Sequence, residues 1–170
     1  MKYTAIITLL IYYFSPANCQ SRNCTPDEIK IHQAIQTFMH CLVEKDSNLF
    51  FSLFHQEPVV WVGVFKERAQ QKRLQQDSTK LNYFTSTYKK FYRTISNEGT
   101  IEEKFNNIKI NTDGSIAAVT FDYSFWEKGQ KINYGKESWG MVNLNEQWKI
   151  TSVLFSMDFT ADNSLPKKKK

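Results

Sequence analysis

The chain has little of what metal centres and nucleophilic active sites are built from. Its 170 residues hold three histidines and three cysteines, and no Cys/His cluster has the spacing that grips a zinc ion. There is no Gly-rich phosphate loop, no Gly-x-Ser-x-Gly elbow and no Cys/His pair suited to covalent catalysis. Neither a metal nor a cofactor is therefore expected. An excess of one charge is lacking too. The formal net charge is +5, but setting aside Lys2 and Lys167 to Lys170 reduces the 22 basic residues to seventeen, against seventeen acidic ones. A nucleic-acid binder needs a basic stripe to displace counterions from phosphates, so no nucleic-acid partner is expected for the body of the chain.

Long apolar runs are also scarce. One stands at the start, over 5–14, behind Lys2 and ahead of Pro16, Ala17, Asn18 and Cys19. Crossing a bilayer takes about 20 apolar residues, so this run is expected to be a secretory signal peptide over 1–19 rather than a transmembrane segment. Lipidation of Cys19 is the competing interpretation, although Pro16, Ala17 and Asn18 suit a lipoprotein signal poorly. The expected product is an exported protein, periplasmic or secreted, with a single domain over 20–160 and a disordered basic tail over 161–170. A domain of that size buries about 68–70% of its unfolded surface and needs no staples; thirteen Phe, eight Tyr and four Trp supply its core. Cys24 and Cys41 either pair or stay as two thiols, a choice the spacing leaves open.

What the chain does have is ordered signals. Thr25, Pro26, Asp27 and Glu28 give a capping hydroxyl, a proline at the first helical position and a glutamate three residues after the cap. Ile31, Ala34, Ile35, Phe38 and Leu42 continue from there at helical spacing to about Val43. A shorter helix is expected from Asp46 or Ser47 to Phe54, then a strand over 59–65. The polar stretch 66–77 is coil or weak helix, undecided by periodicity. Leu81, Phe84, Tyr88, Phe91, Tyr92 and Ile95 predict a third helix from a cap at Ser78. Four runs rich in β-branched and aromatic residues follow, over 101–110, 115–126, 132–144 and 148–159. Gly114 and Gly129 punctuate them as hairpin turns. Helices first and a meander afterwards predict an α+β domain.

This order resembles the nuclear-transport-factor-2-like superfamily, in particular its polyketide-cyclase-like (SnoaL-like) branch. The residues that carry the resemblance are the helix pair followed by Val59, Val60, Trp61 and Val62, the third amphipathic helix, Asp113 to Ala117 leading into a strand, and Trp148, Lys149, Ile150 with Ser156 eight residues after the tryptophan. The resemblance implies a cone-shaped, curved antiparallel sheet covered on its concave face by three N-terminal helices, the cystatin-like architecture, with a cavity between them. It also implies dimers through the sheet. In the last strand Trp148, Ile150, Ser152, Leu154 and Ser156 alternate on one side and Val153, Phe155 and Met157 on the other. Two apolar faces call for a second cover, and a homodimer is the expected one.

Enzymes of this architecture work with a carboxylate or histidine in the cavity, where apolar surroundings raise a carboxyl's pKa toward neutrality. The acidic candidates are Glu57, Asp122, Glu137 and Asp158, each with the ordinary alternative of a solvated or interface carboxylate. His55, expected at the cavity rim, is the one histidine with a functional candidacy. Where such proteins carry a histidine in the last strand, this chain has Ser152 and Leu154. The expected ligand pocket is lined by Trp61, Tyr123, Trp139, Ser152 and Ser156. The favoured function is an exported domain binding a small apolar ligand or a protein partner. The alternative is an isomerase, dehydratase or cyclase using Glu57, Asp122 or His55 as acid or base, with a hydroxyl such as that of Tyr123 steadying an enolate.

Overall fold

The helix-start signal at Thr25 is where the described fold begins. The computed structural model describes residues 24–56 and 58–160; the expected signal peptide, the basic tail and Glu57 lie outside the described residues. Thr25 Oγ1 accepts the amide of Glu28 at 3.2 Å, and Glu28 Oε2 accepts the amide of Thr25 at 2.7 Å. This reciprocal cap satisfies two orphan donors and opens α1 (Pro26–Glu44), which buries Ile31, Ala34, Ile35, Phe38, Cys41 and Leu42. α1 stops at Lys45, a left-handed residue with φ 60°, whose ammonium donates to the Ile95 carbonyl at 2.7 Å. The carboxylate of Asp46 then caps α2 (Ser47–Ser52) by accepting the Leu49 amide.

The remaining elements are β1 (Val60–Phe65), α3 (Glu67–Gln76), β2 (Tyr83–Thr85), α4 (Tyr88–Ser96), β3 (Ile101–Thr112), β4 (Ile116–Glu127), β5 (Gln130–Leu144) and β6 (Gln147–Phe159). The undecided polar stretch is helical: α3 packs Ala69 against Phe65 and Phe159, with the Arg73 guanidinium 3.6 Å above the Phe65 ring. The helix expected from Ser78 starts later, at a Thr87 cap that accepts the Lys90 amide at 3.1 Å. The preceding residues form β2 instead, pairing antiparallel with β1 through Val62 with Thr85 and Val64 with Tyr83. The free edge of β1 offers those backbone groups partners that a helical turn with Leu81 out in solvent does not improve on.

The six strands lie in the order β2-β1-β6-β5-β4-β3. All pairs are antiparallel except β1 with β6, which run parallel. Lys128 and Gly129, both at positive φ, turn β4 into β5, and the Asp113 carboxylate accepts the amides of Ser115 and Ile116 to turn β3 into β4. α1, α2 and α4 cover the concave face of the curved sheet, and the main core lies between them, with Phe38, Phe50, Trp139 and Ile150 at its centre. Cys41 is a buried free thiol, so no bridge joins it to Cys24.

The expected alternation along β6 is corrected by a bulge. Gly140 pairs with Ser152 but Met141 pairs with Ile150, leaving Thr151 extra. Two residues facing one partner reverse the side-chain phase. Trp148 and Ile150 therefore share the concave face with Val153, Phe155 and Met157, while Ser152, Leu154 and Ser156 project from the convex one.

Candidate functional site

A cavity of about 390 Å³ opens between the sheet and α4. Strand alternation determines its lining: β1 contributes Trp61, β4 Tyr123 and Phe125, β5 Asn133 and Glu137, β6 Phe155 and Met157, β3 Glu103. Phe38 of α1 and Phe91 of α4 close it from the helical side, and Lys90 and Thr94 of α4 lie at its exposed edge. The walls are mostly aromatic, with Trp61 and Phe91 5.0 Å apart and Tyr123 edge-on to Phe155 at 6.0 Å.

The buried polar groups in this wall are short of partners. Glu103 and Glu137 are 8% and 5% exposed, although carboxylates are almost never that buried unless paired. Among the described residues no basic side chain acts on either. Burial pushes the Glu103 carboxyl well above its ordinary range, and the neighbouring Glu137 pushes it further. Burial likewise pushes Glu137 up, to about 8, against the opposing pull of the Trp139 indole, whose Nε1 donates to Glu137 Oε1 at 2.6 Å. Two adjacent carboxyls in an apolar wall hold protons at neutral pH. The Tyr123 hydroxyl is buried with no hydrogen-bond partner, and so is the amide oxygen of Asn133. Burial and the two glutamates raise the Tyr123 pKa, so it stays a neutral donor.

The structure brings together only part of the expected pocket. Trp61 and Tyr123 line the cavity. Trp139 is fully buried behind Glu137, packed against Phe38, Phe105 and Phe121. Ser152 and Ser156 face away, on the convex side, where their hydroxyls accept the amides of Gly140 and Lys136.

Of the acid-base candidates, Asp122 is on the convex side as well, accepting from Lys136 Nζ at 2.6 Å and from Asn107 Nδ2 at 2.7 Å. Those two partners, Asn107 foremost, hold its carboxyl below the usual range, the opposite of what a cavity base requires. Asp158 is held by Arg68 at 3.0 Å. His55 is in the connection after α2, its amide bonded to the Ile150 carbonyl, and does not line the cavity. Glu57 lies outside the described residues. Glu103 was not among the candidates. Its signal is an acid between Ile101 and Phe105 at period two, and Glu137 repeats it between Gly135 and Trp139.

A broader hollow of about 1630 Å³ spreads over the convex face and includes Val62, Val64, Asp122, Lys136, Leu154 and Ser156. Asp122 there is already neutralised by Lys136, whereas two of the buried side-chain atoms without a partner among the described residues, the Tyr123 hydroxyl and the Asn133 amide oxygen, belong to residues of the smaller cavity. Among the described residues no group of three His, Cys, Asp or Glu side chains converges as a metal site, and no helix is long and apolar enough to cross a membrane.

No protein-family profile matches this chain, and no curated protein does. Solved structures do. A nuclear-transport-factor-2-like protein of unknown function from Pseudomonas putida superposes with a TM-score of 0.57 at 12% identity, covering 86% of this chain and 98% of its own. A protein of unknown function with a cystatin-like fold from Nostoc punctiforme gives 0.57 at 9% identity over 79% and 93%. A candidate dehydratase of the nuclear-transport-factor-2-like family from Streptomyces avermitilis gives 0.56 at 14% identity over 80% and 100%.

Proposed function

On a nuclear-transport-factor-2-like fold, we propose that the concave cavity is the working site and that it binds a small, largely apolar molecule carrying a hydrogen-bonding group. The observation that carries this reading is the buried Tyr123 hydroxyl, on a residue only 5% exposed, without a partner in a wall rich in aromatic rings. A buried polar atom left unsatisfied costs about 1–3 kcal/mol, a cost that a ligand's polar group would offset. Native mass spectrometry of the gently purified full chain should show a small molecule retained, and Tyr123→Phe should lose it while raising the stability of the empty protein by about 1 kcal/mol. Retention undiminished by Tyr123→Phe would place the ligand elsewhere.

A second reading rests on Glu103 and Glu137. A protonated carboxyl in an apolar site is a hydrogen-bond donor to a carbonyl, and Glu137, pushed up to about 8, becomes a base once it gives up its proton. Together with Tyr123 they would supply the acid and base of an isomerase, dehydratase or cyclase, since Asp122 and His55 do not line the cavity. The proposal also includes export by way of residues 1–19 and a homodimer through the convex face, where Val60, Val64 and Leu154 are exposed.

A further inference from the structure

We infer that the ligand is an organic cation: an amine whose ammonium group sits between Glu103 and Glu137 and whose apolar body rests among the aromatic rings. The inference rests on the cavity being the binding site, as proposed above, and specifies the chemistry of what enters. Two carboxyls more than nine-tenths buried share one apolar wall with no basic partner. Lys90 is the one basic residue lining the cavity among the described residues, and it is exposed at the edge rather than set against either glutamate. Buried carboxylates ordinarily come with a cation. Among the described residues none is set against these two, so a ligand that brings its own positive charge would complete the site.

The surroundings suit the same guest. Trp61, Phe91, Phe125 and Phe155 present ring faces and edges to one small volume, and aromatic walls attract organic ammonium groups through their negative faces. The Tyr123 hydroxyl is a donor without a partner, yet as an oxygen it can also accept an N–H bond, as can the orphaned amide oxygen of Asn133. Four oxygen-bearing groups thus face an ammonium ion that has donors and no acceptor. A neutral ligand would leave both carboxyls protonated. A cationic one displaces a carboxyl proton, which goes to the buffer, and the resulting carboxylate pairs with the ammonium.

The titratable or charged groups that line the cavity are Glu103 on β3, Tyr123 on β4, Glu137 on β5 and Lys90 on α4, and the two carboxyls set the pH dependence. Affinity for an amine should rise from pH 6 toward pH 8 as the carboxyls give up protons more readily, and fall again as the amine itself deprotonates at about 10.

Calorimetric titration of the full chain with tryptamine and with its neutral counterpart indole-3-ethanol tests this. Tryptamine should bind at least tenfold more tightly at pH 7.5, with about one proton released, read from the dependence of the heat on buffer ionisation enthalpy. The double variant Glu103→Gln, Glu137→Gln should abolish both the preference and the proton release. Should that variant fail to fold, the proton release and pH profile of the unaltered protein decide the matter alone. Equal or tighter binding of indole-3-ethanol would overturn the cation while leaving the cavity a binding site. Failure of both probes to bind at millimolar concentration would overturn the inference together with the binding reading beneath it.

Discussion

At the scale of single residues, Glu103 and Glu137 stand out because they are buried against the usual preference of acids for water. Their folded-state pKa values are raised above the unfolded value near 4.3. Below that value both states hold the protons, and the folded protein keeps its full stability. As pH rises toward the folded values the unfolded chain releases protons that the native state retains, so stability falls by up to about 1.4 kcal/mol per pH unit for each group. Melting temperature should therefore decline from pH 5 to pH 8, and Glu103→Gln should flatten the decline, overtaking the unaltered protein near neutrality. Parallel melting curves for the two proteins would mean the carboxyl is not held protonated. Asp122 acts in the opposite direction, with a carboxyl depressed by Asn107 and Lys136, but it is too exposed to weigh against the buried pair.

At the scale of elements, register is what assembles the cavity. Gly135 of β5 pairs with Tyr123 of β4, and a Cβ at that glycine would lie 1.8 Å from the Ser156 carbonyl oxygen of β6. β5 and β6 approach more closely there than any side chain allows. Gly135→Ala should force the strands apart beside Glu137 and destabilise the protein by several kcal/mol, on the order of the largest single-substitution effects, measurable by urea unfolding. A loss under 0.5 kcal/mol would mean that the close approach is absent in solution. The bulge at Thr151 works at the same scale: by reversing the phase of β6 it turns Val153, Phe155 and Met157 inward and leaves Leu154 outward. No periodicity rule finds such a position, because Gly140 and Ser152 are compatible with either phase and the choice is made by the partner strand.

At the scale of the whole molecule, the convex face is left with an apolar strip. Val62 and Leu154 are paired neighbours on β1 and β6, with Val60 and Val64 flanking them, and Val60, Val64 and Leu154 are 52%, 42% and 46% exposed. Burying such a strip against its copy removes apolar surface worth about 25 cal/mol per Å², and a two-fold axis makes the same patch serve both partners. Light scattering at micromolar concentration should give twice the chain mass, and Leu154→Lys should halve it without lowering helix or strand content. A single-chain mass for the unaltered protein removes the dimer.

The sequence by itself determined the capped first helix, the four long strands, the turns at Gly114 and Gly129 and the α+β order, because each rests on local preferences that tertiary contacts reinforce. It also drew attention to Trp61 and Tyr123, which the structure places along the concave cavity. Only the tertiary structure decided that 83–85 is an edge strand, that Ser152 and Ser156 face outward, and that two acids share the cavity wall. Those outcomes depend on which strand lies beside which and at what offset. The proximity of Glu103 to Glu137, thirty-four positions apart, exists only once β3, β4 and β5 have closed in register.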